Sequence, residues 1–87
     1  MDKFEIQGKE FAYPDRIINQ RVFDIADYEK ATKSAWFVTR EGVEKMMRLV
    51  IDGPHDEIDW GIEDGATTIR IYKGFFPFYA KKIAELE

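Results

Sequence analysis

The sequence predicts a small single α+β domain over residues 1–87. Two β-hairpins plus a central strand form a mainly antiparallel sheet packed by two to three helices, in the order ββ-α-β-α-ββ-α. Three observations lead there. Two turn dipeptides are each flanked by segments whose apolar residues sort onto one face. One short run is apolar on both alternating faces. Helical spacing dominates the middle and the end of the chain.

The first unit reads as a hairpin of "KFEIQ" and "EFAY" around Gly8-Lys9, a pair that suits a type II′ turn. That turn sets Ile6 opposite Phe11 and Phe4 opposite Tyr13, so the large apolar residues share a face. Pro14 ends it. Residues 15–23, "DRIINQRVF", carry β-branched residues suited to a strand, while Ile18, Val22 and Ile25 keep helical spacing. One helix over 15–33 is the preferred reading, with Asp24 as a cap if it is broken near 23. "AWFV", residues 35–38, reads as an interior strand covered on each side. Thr39 caps the next helix, in which Val43, Met46, Met47 and Val50 fall at i, i+3, i+4 and i+7. The methionine pair reads as core filling rather than an adaptable groove. Gly53-Pro54 stops this helix.

Asp64-Gly65 is the dipeptide a type I′ turn prefers, so "EIDWGIE" and "ATTIRIYK" read as a second hairpin. Its register pairs Ile62 with Thr67, Trp60 with Ile69 and Ile58 with Ile71 on an apolar face. Asp59 and Arg70 pair on the other. Gly61 within that strand signals a bulge or a close approach by a neighbour. Pro77 then fixes the start of a last helix with Tyr79, Ile83 and Leu86 facing the core. Most of "YKGFFPFYAKK" is thereby core, but Phe78 falls on the flank shared with Lys81, Lys82 and Glu85, and Tyr72 on the polar face of the hairpin.

Composition narrows the function classes. Hydrophobic residues at 45% and charged residues at 34% describe a folded chain rather than a disordered one. The absence of cysteine excludes disulfides, thiolate metal sites and a cysteine nucleophile, and it fits a reducing compartment. With no basic-then-apolar leader and no membrane-spanning run, a cytoplasmic location is expected. His55, the only histidine, reads as an exposed loop residue beside Asp56 and Asp59. It has no second histidine, calcium-loop spacing or nucleophile to form a metal or catalytic site. No cofactor is implied, and the partner expected is another protein rather than a membrane.

The net charge of −4 is unevenly spread. Residues 52–64 hold Asp52, Asp56, Glu57, Asp59, Glu63 and Asp64 with no lysine or arginine, a concentration of charge that speaks to partners. The expected function is a small non-enzymatic interaction module (inhibitor, adaptor or accessory subunit) contacting a basic partner through Asp56, Glu57, Asp59, Glu63 and Asp64, with Tyr72 and Phe78 alongside. The alternative is a nucleic-acid-associated protein that stacks bases on Tyr72 and Phe78 among nearby lysines. The acidic balance of the chain disfavours it.

Overall fold

A two-residue hairpin loop of type I′ needs both central residues at positive φ. In the computed structural model, which describes residues 3–86, Gln7 and Gly8 meet that demand at φ 52° and 79°. β1 (Lys3–Ile6) and β2 (Lys9–Ala12) therefore pair antiparallel with Phe4 opposite Phe11 and Ile6 opposite Lys9. The loop is Gln7-Gly8 rather than Gly8-Lys9, which moves the expected pairing by two residues. A shift of two preserves the faces, so Ile6, Phe11 and Tyr13 are still buried together.

α1 (Asn19–Ala31) is continuous, with Asp24 inside it rather than capping it. Its C-terminus closes with Lys33 N–H donating to the Lys30 carbonyl and Ser34 N–H to the Glu29 carbonyl. This is the Schellman pattern, with Lys33 at φ 53° where glycine is usual. The chain then makes one 3₁₀ turn, Trp36–Val38, in place of the expected central strand. Only Trp36 is buried there. Phe37 and Val38 are 50% and 67% exposed, so the run was never an interior strand. Thr39 caps α2 (Arg40–Val50) as the sequence predicts, its Oγ1 accepting the Gly42 N–H at 2.9 Å. Met46, Met47 and Val50 are fully buried and Val43 half-buried.

The second hairpin does not form. Residues 52–64 run as two 3₁₀ turns, His55–Glu57 and Trp60–Ile62, and Gly65–Leu86 is one 22-residue helix, α3. Asp64 opens that helix as a cap, its carboxylate accepting the Ala66 N–H at 2.9 Å. Thr68, Ile71, Phe75 and Phe78, at i, i+3, i+7 and i+10, are the buried stripe. That stripe outweighs the low helix propensity of the β-branched residues. Pro77 lies inside α3 and not at its start. The architecture is thus a small α+β fold with a two-stranded antiparallel sheet and three helices.

The hairpin is fastened at three places. Ala12 and Asp52 form an antiparallel bridge, with N–H to carbonyl distances of 3.0 and 2.8 Å. The Gln7 amide donates to the Asp59 carbonyl and accepts the Asp59 N–H. The Tyr13 hydroxyl donates to the Ile71 carbonyl at 2.7 Å, lying over Gly74, whose missing side chain admits it. Trp60 is buried as expected, though against Phe11 and His55 rather than across a strand from Ile69.

Two stability outcomes follow from this packing. A methyl group at Gly42 would overlap the Trp36 carbonyl, which is backbone and cannot swing aside. Helix propensity alone would favour alanine by about 1 kcal/mol, but overpacking of this kind costs about 1–3 kcal/mol, so Gly42→Ala should destabilise in denaturant titration. A stabilised variant would show that the turn yields. Phe78 stacks on Tyr13 with centroids 4.9 Å apart, whereas Phe76 faces outward. Phe78→Ala should cost about 3–5 kcal/mol and Phe76→Ala less than about 1 kcal/mol, and equal losses would contradict this assignment of faces.

Candidate interaction surface

Every acid of the 52–64 segment has a partner within the chain. Asp52 meets Arg21 at 3.3 Å, Asp56 meets Arg48 at 2.5 Å, Glu57 meets Lys9 at 3.1 Å and Asp59 meets Arg40 at 2.6 Å. Glu63 accepts from the Gln7 amide, and Asp64 caps α3. The four bases come from β2, α1 and α2, so much of a charge that is local in sequence is neutralised in space. Arg48 holds the Asp56 carboxyl below the usual carboxylate range by a direct hydrogen bond, and Arg40 does the same for Asp59 with help from the Gly61 N–H. The Arg40 guanidinium also occupies the space a side chain at Gly61 would need, which is the close approach that glycine signalled. These pairs are exposed, so each is individually weak.

The two aromatics expected at the surface lie elsewhere. Phe78 is only 9% exposed, against Tyr13, with the Lys82 ammonium 5.4 Å from its ring centre. Tyr72 is half-buried, tilted against Trp36 at 5.1 Å. Burial, together with the neighbouring Glu29 carboxylate, pushes its hydroxyl up to about 12. Glu29 also accepts the Trp36 indole N–H at 2.9 Å, so this corner ties α1, the 36–38 turn and α3 together.

His55 is not an exposed loop residue either. It is buried edge-on to Phe11 at 5.0 Å, with Nε2 2.9 Å from the Ile51 carbonyl. A carbonyl only accepts, so Nε2 carries the proton and the ring is a structural donor. Neither Nδ1 nor the Trp60 indole N–H bonds to another described residue, and both rings are held by packing. Among the described residues, no three His, Asp or Glu side chains converge to hold a metal ion, and no helix is long and apolar enough to cross a membrane.

What the sequence reading missed is an apolar surface. Beside its buried stripe, α3 carries a second one: Ile69, Tyr72, Phe76, Tyr79 and Ile83, at alternating steps of three and four. Phe76 and Ile83 are each 42% exposed, and Phe37 and Val38 adjoin the stripe through Trp36 and Tyr72. A hollow of about 370 Å³ opens where Val38, Val43, Trp60 and Thr68 meet Ile69, and another of about 550 Å³ lies beside Ile17, Tyr79 and Ile83. The seven-residue recurrence of Ile69, Phe76 and Ile83 is visible in the sequence. It was concealed by assigning Ile69 to a strand.

His55 yields a pH dependence. Burial pushes its pKa below the ordinary 6.5, opposed by the hydrogen bond to the Ile51 carbonyl and by Asp52 and Asp56, with Arg48 adding to the depression. The unfolded chain therefore binds the proton more readily. Stability is complete above about pH 6.5 and falls as the pH drops below that value, by at most about 1.4 kcal/mol per pH unit. His55→Gln should flatten the slope between pH 6.5 and 5 whatever it does to total stability. An unchanged slope would assign the dependence to other groups.

Comparison with protein-family models, curated proteins and solved structures returns no match, so the functional reading rests on the chain's own surface.

Proposed function

We propose that this chain is a small protein-interaction module that acts by binding rather than by chemistry. The observation that carries the reading is the apolar face on which Phe37, Val38, Phe76 and Ile83 are exposed beside a half-buried Ile69, in a domain that already has a closed core. Contiguous apolar surface of this kind, rimmed by charge, marks binding sites more often than it survives as bare surface. The reading favours this face over the acidic segment from Asp52 to Asp64, because the acids there are already paired or capping. Their residual field steers an approaching partner without forming the contact. Base stacking on Phe78 finds no support, since that ring is buried under Tyr13.

The test compares three folded proteins in quantitative affinity capture: wild type, Phe76→Glu, and the triple change of Asp56, Glu57 and Asp59 to Lys. Phe76→Glu should lose the principal partner, and the triple change should reduce its recovery only modestly. The reverse pattern would return the interface to the acidic segment. Identical profiles for all three would remove both surfaces from consideration.

A further inference from the structure

The outer apolar stripe of α3, exposed at Phe76 and Ile83 and half-buried at Ile69, Tyr72 and Tyr79, has a shape, a spacing and a charge, and together they define what fits it. Ile69, Phe76 and Ile83 recur every seven residues along about 21 Å of helix, with Tyr72 and Tyr79 between them at three and four. That is the spacing with which a second helix interdigitates. The stripe is bordered rather than raised. Phe37 and Val38 stand along one side, and the two hollows of about 370 and 550 Å³ lie one toward each end. A rod-shaped ligand fills such a trough, whereas a bilayer is entered by a protruding apolar face.

Charge selects among helices. On the open side of the stripe Lys73 borders it, with Arg70 and Lys81 beyond, all three exposed. None of them is ion-paired among the described residues. This contrasts with the 52–64 segment, whose acids are all engaged. A second copy of the chain is a poor occupant. The positions flanking the seam of α3 are Thr68, Lys73, Phe75, Ala80 and Lys82, so pairing two α3 helices in either direction offers their lysines no acid. Both hollows carry both signs, with Asp15 and Glu85 against Arg16 and Lys82 near Tyr79, and Arg40 and Glu63, already engaged by Asp59 and Gln7, near Ile69, so selection for acid rests on Arg70 and Lys73 themselves.

We infer that the α3 trough binds an amphipathic helix of a different protein, one whose apolar stripe is flanked by Asp or Glu. The inference rests on the interaction-module reading and specifies its ligand. The occupant lays its apolar residues between Ile69, Phe76 and Ile83, and its acids meet Lys73 and Arg70.

The probe is a fluorescent three-heptad peptide with leucine at the seam positions and glutamate on the flanks, set against an otherwise identical peptide with lysine on the flanks. Anisotropy titrations against the whole protein should show the glutamate peptide binding at least about tenfold more tightly, with the margin shrinking as salt rises. Arg70→Glu with Lys73→Glu should reverse the preference, and Phe76→Glu should abolish binding of both peptides while circular dichroism stays unchanged. Equal binding of the two peptides, or binding of neither, would overturn the inference. So would self-association that Phe76→Glu abolishes in sedimentation, or co-sedimentation with anionic phospholipid vesicles that depends on Phe76. The two readings fail separately. If neither peptide binds but Phe76→Glu still loses its captured partner, the occupant is wrong and the surface stands. If Phe76→Glu changes no captured partner, the surface itself is wrong.

Discussion

Everything in this fold leans on the eleven residues of α2. A helix so short is marginal in water, and it persists because Met46, Met47 and Val50 are sealed from solvent by other elements. The dependence is mutual. α1, α3 and both the 36–38 and 60–62 turns pack directly on α2, while the hairpin is tied to the segment that follows its C-terminus, to Asp59 and to α3. Methionine suits the inner face of such a helix, because its unbranched side chain conforms to irregular neighbours, while Arg40, Glu41, Lys45 and Arg48 face solvent. Moving α2 would disturb the packing of both other helices and of the two turns.

The legible parts of the sequence were those where one short-range signal had one meaning. Thr39 before a helical stripe could only cap it, and the faces of the first hairpin survived a wrong turn because a two-residue shift leaves alternation intact. The illegible part was 57–76, where two signals conflicted. Asp64-Gly65 serves equally as a hairpin turn and as a cap followed by the first residue of a helix. The β-branched Thr67, Thr68, Ile69 and Ile71 then tilted the choice toward strand. Pro77 completed the error, since it is most at home in a first turn and so cut the helical stripe between Phe75 and Phe78. The buried face decided otherwise, as tertiary packing routinely overrides propensity. "AWFV" failed for a different reason. Its preceding helix stops at Lys33 and Ser34, both in left-handed conformation without a glycine to announce it.

The same long-range geometry governs the candidate surface. A run of acids without a base is conspicuous in sequence, yet Arg21, Arg40, Arg48 and Lys9 reach it from other elements. Arg70, Lys73 and Lys81 on the flank of α3, by contrast, form no ion pair among the described residues, although they are fewer and more widely spaced along the chain. Burial misled in the opposite sense at His55, where a polar, proline-bounded segment folds over the core and carries its histidine inward. Charge read along a chain reports composition. Charge read across a surface reports what remains unpaired, and only the second kind is available to a partner.

The fastening of the hairpin bears on how the chain comes off a ribosome. Gln7 and Tyr13 find their partners 52 to 58 residues further along, at Asp59, Glu63 and Ile71. A two-stranded hairpin is marginal by itself, and synthesis across that separation takes on the order of several seconds. Until α3 is made, Tyr13 lacks the Phe78 ring and the Ile71 carbonyl, whereas Phe11 can already meet His55 and Trp60, which precede α3 in the chain. Native contacts this distant in sequence carry a loop-closure cost that local pairing does not, so the hairpin gains its full fastening only once α3 is in place.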